Sequence, residues 1–351
     1  MKRIVMLVSE FSVFSVMVEK VLIVGHGSIG KRHLRIARGL LPSADIRVLS
    51  RKMREPVPEY ADGWLGNMEE ALKFKPQVAL IANPSTFHIE TAQPLAEAGV
   101  NLLVEKPLAD SMEGVSKLLS VCGARGSVLM IGYNLRFLPC LQKFRKLIRS
   151  GVIGKVISVR CEIGQYLPSW RPDIDYRRGV SAVRALGGGA LLELSHEIDY
   201  VRWIFGEVDW VKATLSKQSS LEIDVEDTAH LILGFAPESD GRQIVANLTL
   251  DFVRQDTTRQ CTAIGEKGSL RWNALNGEIE HFTAGGTSWE TVFQKSSQSD
   301  GSYTEEWLHL LDCISAGKFP LVSGQDGLEV LKIIDAARRS DAEHKGATIA
   351  D

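Results

Sequence analysis

The chain has 351 residues, 44% of them hydrophobic, which is enough to bury a large core and to form two domains. Its 41 basic and 43 acidic residues give a net charge of −2 without a run of like charges, which argues against nucleic acid or a membrane as partner and favours a small molecule. The five scattered cysteines form no CxxC pair, so we expect no metal site and no disulfide framework, and a cytoplasmic location.

Residues 1–17 begin with basic residues and continue with apolar runs, as a secretion signal does. Glu10 interrupts the apolar stretch, and no cleavage site of small residues follows it. The stretch is also shorter than the roughly 20 apolar residues that span a bilayer. We therefore expect an extension or disordered arm before the first domain.

Strand and helix patterns alternate over residues 18–139. Short aliphatic or β-branched runs predict buried strands at 21–25, 45–50, 78–83, 101–106 and 128–134. Helical patterns follow them, on the face formed by Gly30, Leu34, Ala37 and Leu41 and at 67–74, 86–99 and 110–122. Apolar strands joined by crossover helices predict an α/β domain with a doubly wound parallel sheet.

A GxGxxG motif stands where the first strand meets the first helix, and it comprises Gly25, Gly27, Ser28, Ile29 and Gly30. In this position the first glycine permits a tight turn, the second lets the backbone approach a pyrophosphate, and the third lets helix and strand pack closely. The phosphates would bind at the helix N-terminus. The motif therefore predicts a dinucleotide-binding Rossmann domain over residues 18–139.

The end of the second strand carries Ser50, Arg51 and Lys52 where a ribose-binding carboxylate is expected. Cationic side chains suit a 2′-phosphate, which arginine binds through charge-assisted hydrogen bonds. This favours NADP over NAD as the cofactor. The alternative is that Arg51 and Lys52 are solvated loop charges.

Seven short stretches together resemble one protein family. They are GHGSIGKRH (25–33), IANPSTFHIETA (81–92), Glu105-Lys106-Pro107, GYNLRF (132–137), GGGALLELSHEID (187–199), VEDTAHLILGF (225–235) and GEKGSL (265–270). In order and spacing they resemble the glucose-fructose oxidoreductase, inositol dehydrogenase and rhizopine-catabolism superfamily, called Gfo/Idh/MocA.

The resemblance implies that residues 140–351 form a substrate-binding α/β domain with an open, mostly antiparallel sheet, through which homodimers or homotetramers often assemble. It also implies an NAD(P)-dependent oxidoreductase that acts on a secondary hydroxyl or ketone of a sugar, sugar derivative or nucleotide sugar. Further cofactor contacts are expected at Asn83, Pro84, His88, Glu105 and Lys106.

The residue patterns of the second half agree with this expectation. Strand-like stretches, several of them alternating, occur at 155–166, 208–217, 227–236, 242–253 and 258–273, and helical ones at 303–317 and 324–341. The polar stretch 295–302 is predicted to be a loop.

Lys106 and His196 are the candidate acid–base residues. Lys106 follows the fourth strand at its carboxyl end, where ligands bind in open α/β sheets, and the resemblance implies contacts with the substrate hydroxyl and the cofactor. The alternative is an ordinary surface lysine.

The family also has a histidine as proton acceptor in the position of His196. We predict that His196 lies on one helix with Glu193 and Asp199, either of which would orient the imidazole and raise its basicity. The alternative is a set of routine ion pairs on a helix surface. Family members commonly have Asp-x-x-x-His, so the shorter Glu193-x-x-His196 leaves the role of Glu193 open.

An aromatic and cationic segment precedes the triple glycine of residues 187–189. Because aromatic faces stack on sugar rings and arginine binds carboxylates or phosphates, substrate contacts are predicted at Tyr166, Trp170, Arg171, Tyr176 and Arg177. Tyr133 and Arg136 of GYNLRF are further candidates. Several arginines would suit a nucleotide sugar or an acidic sugar, whereas the alternative is a structural loop.

Two other functions stay open at this point. Some relatives are glycosidases that use tightly bound NAD without net redox, and a non-catalytic dinucleotide sensor would share the same fold.

Overall fold

The structure, a computed structural model, describes residues 18–50, 56–237, 239–296 and 300–349. The predicted arm of residues 1–17 lies outside the described residues, as do Arg51, Lys52 and part of the predicted loop 295–302. No helix in these ranges is long and apolar enough to cross a membrane.

The first sheet has six strands, and every pair of neighbours is parallel, which confirms the predicted doubly wound sheet. The strands are β1 Lys20–Val24, β2 Asp45–Leu49, β3 Gly63–Leu65, β4 Val78–Ile81, β5 Asn101–Glu105 and β6 Leu129–Gly132. Their spatial order is β3-β2-β1-β4-β5-β6, so the chain reverses direction across the sheet between β1 and β4. Ligands bind at such a switch point in open α/β sheets.

Helices connect these strands close to the predicted positions. They are α1 Ser28–Leu40, α2 Met68–Phe74, α3 His88–Glu97 and α4 Val115–Arg125. The prediction of a helix from residue 110 is wrong by five residues, because Gly114 has a φ of 74° and α4 begins only after it.

The second sheet has nine strands, all paired antiparallel except for the parallel pair β7 and β10. The strands are β7 Val156–Gly164, β8 Val208–Ser216, β9 Thr228–Phe235, β10 Val245–Asp251, β11 Thr258–Gly265, β12 Gly268–Asn273, β13 Glu278–Thr283, β14 Glu290–Gln294 and β15 Ala347–Thr348. The mostly antiparallel sheet is thereby confirmed. The predicted single strand 258–273 is wrong, since the chain turns at residues 266–267 and forms the hairpin β11–β12.

The helices of the second half are α5 Pro139–Arg149, α6 Ala190–Glu193, α7 His196–Phe205, α8 Gly301–Ala316 and α9 Gly324–Glu343. The prediction of one continuous helix through His196 is wrong, because α6 ends at Glu193, Leu194 leaves helical geometry with φ −100° and ψ 21°, and α7 begins at His196. The polar stretch that was predicted to be a loop ends inside α8, which already begins at Gly301.

Two contacts fix the second half against the first sheet. Helix α8 packs on α1, and Nε1 of Trp307 donates to Nδ1 of His33 over 2.8 Å in the interior. Helix α9 lies on β6, where a Cβ added to Gly324 would come within 2.5 Å of Leu129. The strand ends of the first sheet therefore face a wall from the second half.

Candidate active site

A cavity of about 1200 Å³ follows the carboxyl ends of β1, β2, β4 and β5. Among the described residues, all those predicted to contact the cofactor line it except Gly30, and Arg51 lies outside the described residues. The lining residues are Gly25, Gly27, Ser28, Ile29, Ser50, Asn83, Pro84, His88, Glu105 and Lys106. The second half of the chain contributes Arg171, Val180, Ser181, Leu186, Glu193 and Tyr303.

The glycine turn has the geometry that phosphate binding requires. Gly25 has a φ of 92°, and a Cβ on Gly30 would lie 2.2 Å from the carbonyl oxygen of Gly25, so Gly30 packs the helix on the strand. A Cβ on Gly27, by contrast, would meet nothing within 4 Å. No side chain caps α1 and its first turn holds no acidic residue, so its backbone N–H groups suit the pyrophosphate of a dinucleotide.

The cavity wall near the end of β2 includes two residues that the sequence analysis missed. The rings of His26 and Trp64 meet edge to face with centroids 5.3 Å apart. Burial and the nearby charge of Lys31 lower the pKa of His26. Ser50 lines the same part of the cavity, whereas Arg51 is not described.

Lys106 and Glu193 meet across the cavity. The ammonium Nζ of Lys106 donates to the backbone carbonyl of Glu193 over 2.7 Å and lies 3.9 Å from its carboxylate Oε1. Ser181, which was not predicted, donates from Oγ to the other carboxylate oxygen over 2.9 Å. Both Lys106 and Glu193 are less than one-fifth exposed, so this pair is shielded from water yet lines the cavity.

Glu105 is held from the side opposite the cavity. His33 lies 2.7 Å away through Nε2, and the backbone N–H of Lys106 donates to the second oxygen. Burial would raise the pKa of Glu105, but the hydrogen bond from His33, together with the charge of Lys106, holds it below the usual value. Glu105 therefore anchors the backbone from which Lys106 projects.

His88 joins two strand ends. Its ring nitrogens lie 3.0 Å from the carbonyl oxygen of Pro107 and 2.8 Å from that of Asn83, and burial lowers its pKa. A neutral ring has one N–H and donates to one of these carbonyls, whereas only a protonated ring would donate to both.

The expectation that Asp199 orients His196 is wrong. Both carboxylate oxygens of Asp199 accept from the buried guanidinium of Arg136, over 2.9 Å and 2.6 Å. The carboxylate of Glu193 is bound by Ser181 and faces Lys106. The break between α6 and α7 separates Glu193 from the helix that carries His196 and Asp199.

His196 is nine-tenths buried, is not part of the cavity wall, and its Nδ1 has no hydrogen-bond partner among the described residues. Burial, then the charges of Lys106 and Arg259, hold its pKa well below the usual value. The predicted increase in basicity is therefore wrong, and the imidazole is neutral at pH 7. The ring of Tyr133 packs edge to face on it, with centroids 5.5 Å apart.

Two predicted substrate contacts fail because their side chains are buried. Arg136 is 1% exposed, and beyond Asp199 it binds Asp326 and the carbonyl of Leu321. Tyr133 is fully buried and donates to Ser195 Oγ over 3.2 Å. Both are structural residues behind the cavity wall.

Arg171 alone of the predicted aromatic and cationic contacts lines the cavity. The others make contacts within the protein. Trp170 donates to the carbonyl of Gln165, the Tyr176 hydroxyl accepts from the backbone of Glu222, Arg177 pairs with Asp175 and Glu222, and Tyr166 accepts from Ser169. Their contacts with substrate stay predictions.

Tyr303 is a cavity residue that no motif in the sequence indicates. It reaches the wall from α8, and the guanidinium of Arg32 stacks on its ring at 4.9 Å. Burial raises its pKa, so the phenol stays protonated at neutral pH.

The parallel sheet, the glycine turn and a lysine beside it define a dinucleotide-dependent oxidoreductase. The sequence matches "Oxidoreductase family, NAD-binding Rossmann fold" over residues 19–133 and "Oxidoreductase family, C-terminal alpha/beta domain" over residues 145–349. The chain belongs to this Gfo/Idh/MocA family, as the short motifs had indicated.

Named relatives cover nearly the whole chain. Inositol 2-dehydrogenase of Rhizobium meliloti (strain 1021) is 27% identical, over 93% of this chain and 98% of its own length. A levoglucosan dehydrogenase structure with NADH superposes with a TM-score of 0.80 at 22% identity, covering 95% of this chain and 99% of that one. The WlbA dehydrogenase of Bordetella pertussis, solved with NADH and UDP-GlcNAcA, gives 0.78 at 20% identity, covering 96% and 99%.

Proposed function

We propose that this protein is an NAD(P)-dependent oxidoreductase that interconverts a secondary hydroxyl and a ketone on a sugar, a sugar derivative or a nucleotide sugar. The observation that carries the proposal is the contact of Lys106 with Glu193 in the cavity that begins at the glycine turn. A proton-exchanging pair beside a dinucleotide groove is what such a reaction needs. The names of the three relatives support a carbohydrate substrate.

In this proposal Lys106 is the catalytic residue that binds the reacting oxygen. A bound nicotinamide ring would accept or supply the hydride. During reduction the ammonium of Lys106, oriented by the Glu193 carbonyl at 2.7 Å, donates a hydrogen bond to the ketone oxygen and gives it a proton as the hydride arrives. During oxidation Lys106 first passes a proton to the Glu193 carboxylate, 3.9 Å from Nζ, and the neutral amine then accepts the hydroxyl proton.

His196 and Asp199 have different roles in the proposal. The neutral imidazole of His196 is a weak base and lies outside the cavity wall, so the proposed proton transfer runs through Lys106 and Glu193 instead of through His196. Asp199 acts through Arg136 as a structural partner.

We propose NADP as the preferred cofactor. Ser50 and Arg51 stand at the position of the usual ribose-binding carboxylate, and a 2′-phosphate needs donors and positive charge. The relatives solved with NADH support NAD(H) as the coarser assignment.

The test is dinucleotide-linked turnover of a panel of sugars and inositols, measured by NAD(P)H absorbance. We expect Lys106→Ala and Glu193→Gln to lower kcat by about 10²–10⁴-fold while cofactor affinity is retained. Lys117→Ala is the matched control, because Lys117 lies on α4 with a side chain that is 68% exposed. Near-normal turnover in both site variants contradicts the proposal, and substrate cleavage without net cofactor turnover favours the glycosidase.

The domain boundary after residue 139, homo-oligomerisation through the second sheet and a cytoplasmic location stay predictions.

A further inference from the structure

Arg171 is a cation on the cavity wall that has no carboxylate partner among the described residues. Its side chain is exposed, and it lines the same cavity as Lys106 and Glu193. Glu193, the other charged wall residue from the second half of the chain, is already compensated by Lys106. The substrate side of the cavity therefore has one uncompensated positive charge.

Arg177 and Arg178 of this segment differ from Arg171 in both respects. Arg177 pairs with Asp175 at 2.8 Å and with Glu222 at 3.1 Å, and Nε of Arg178 lies 3.8 Å from Asp175. Arg184 donates to the backbone carbonyl of Asp224 over 2.9 Å. None of these three lines the cavity, so Arg171 is the arginine of the segment that faces the ligand space.

The backbone that carries Arg171 is held in place. The indole of Trp170 donates to the carbonyl of Gln165 over 3.0 Å and packs edge to face on Phe252 at 5.2 Å. The carbonyl of Arg171 accepts from the N–H of Ile174 over 3.0 Å. The guanidinium is therefore presented from a fixed turn, so less conformational entropy is lost when it binds a ligand.

The phosphates of a dinucleotide have their own binding place on the first half of the chain, at the N-terminus of α1. Arg171 comes from the second half of the chain, which is separate in sequence from that phosphate site, so we expect an anion that it binds to belong to the second ligand. A guanidinium matches a carboxylate or phosphate through two parallel hydrogen bonds.

We propose that the substrate is an anionic sugar whose carboxylate or phosphate is bound by Arg171. The inference rests on the proposed function and narrows its substrate class, because a neutral sugar would leave Arg171 without a partner. Arg171 is a specificity-determining residue in this scheme, while Lys106 binds the reacting oxygen.

The experiment compares D-glucose, D-glucuronate and D-glucose 6-phosphate as probes of the protein saturated with NADPH or NADH. Binding is measured by calorimetry in these complexes, whereas hydride transfer from the sugar hydroxyl is measured by absorbance with NADP+ or NAD+ as the acceptor. We expect at least one anion to bind more tightly than glucose, and its chemistry identifies carboxylate or phosphate as the group recognised. Arg171→Gln should weaken that anion on the order of ten- to a hundredfold and leave glucose and both cofactors unchanged.

Arg171→Lys should lose part of this affinity, since it keeps the charge but not the planar fork. Arg178→Gln is the matched control, from the same segment with a side chain that is 89% exposed, and should change nothing. Three results would overturn the inference. They are tighter binding of glucose than of either anion, no measurable binding of any probe, and an effect of Arg171→Gln on cofactor affinity instead of sugar affinity. If an anion binds through Arg171 but no hydride is transferred, the anion site stands and the proposed redox function fails. If turnover occurs and Arg171→Gln does not change it, the redox function stands and the anion site fails.

Discussion

Replacing Arg136 should destabilise the fold without weakening substrate binding. Arg136 and Asp199 are each 1% exposed and joined by two hydrogen bonds of 2.9 Å and 2.6 Å. Burial raises the pKa of Asp199 even though Arg136 attracts its negative charge, so the carboxylate depends on this partner. Arg136→Met leaves a buried charge without its bidentate donor, which typically costs about 3–5 kcal/mol.

The assay is urea unfolding of the single variant and of the double variant Arg136→Met/Asp199→Leu. The single variant should lose about 3–5 kcal/mol of unfolding free energy, seen as a lower midpoint at unchanged slope, and the double variant should regain most of it. The Michaelis constant for substrate should stay the same. A loss below about 0.5 kcal/mol, the ordinary range for surface substitutions, or a double variant no more stable than the single one would refute the reasoning.

Three further predictions concern a buried acid, the glycine turn and the cofactor. Glu306 is fully buried, and burial, together with repulsion from the carboxylate of Glu105, raises its pKa well above the usual value. Its contribution to the free energy of unfolding is complete below the unfolded pKa of 4.5 and is lost as pH rises through the folded pKa. The urea concentration at the unfolding midpoint should therefore become increasingly higher for Glu306→Gln than for wild type from pH 5 to pH 7 and pH 9. A difference between the two proteins that does not change with pH would count against this prediction. Gly27→Ala should keep wild-type stability and lose cofactor affinity. Gly30→Ala should lower the melting temperature, because its Cβ would lie 2.2 Å from a backbone carbonyl oxygen. An equal loss of melting temperature in both variants would contradict the geometry. Arg51→Ala should weaken NADP roughly ten- to a hundredfold in calorimetric titrations and barely change NAD, and an equal loss for both would end the NADP assignment.

The first sheet could be predicted because its signals are local. β1, β4 and β5 are runs of buried aliphatic residues, and the glycine motif directly follows the first of them. β3, by contrast, has only three residues, and β14 is mostly exposed at the sheet edge, so neither shows the burial pattern on which strand prediction depends.

The cofactor side of the cavity could be predicted because its motifs are also local in sequence. The sequence could not show which residues contact each other among the acid–base candidates. Lys106 and Glu193 are 87 residues apart, and Arg136 and Asp199 are 63 apart, so only packing brings each pair together. Helical spacing placed Asp199 beside His196, and both do lie on α7, but the spacing could not show that Arg136 binds the Asp199 carboxylate. The helix break separates Glu193 from α7.

Isotope transfer tests the central claim most directly. The protein would be incubated with NADPH or NADH deuterated at C4 of the nicotinamide and with keto sugars, both neutral and anionic, and deuterium on the sugar product would be measured by mass spectrometry. We expect one deuterium on the carbon that was the ketone in wild type and a rate about 10²–10⁴-fold lower in Lys106→Ala at saturating cofactor. Label that stays on the cofactor in wild type, or that transfers at the wild-type rate in Lys106→Ala, would contradict the account.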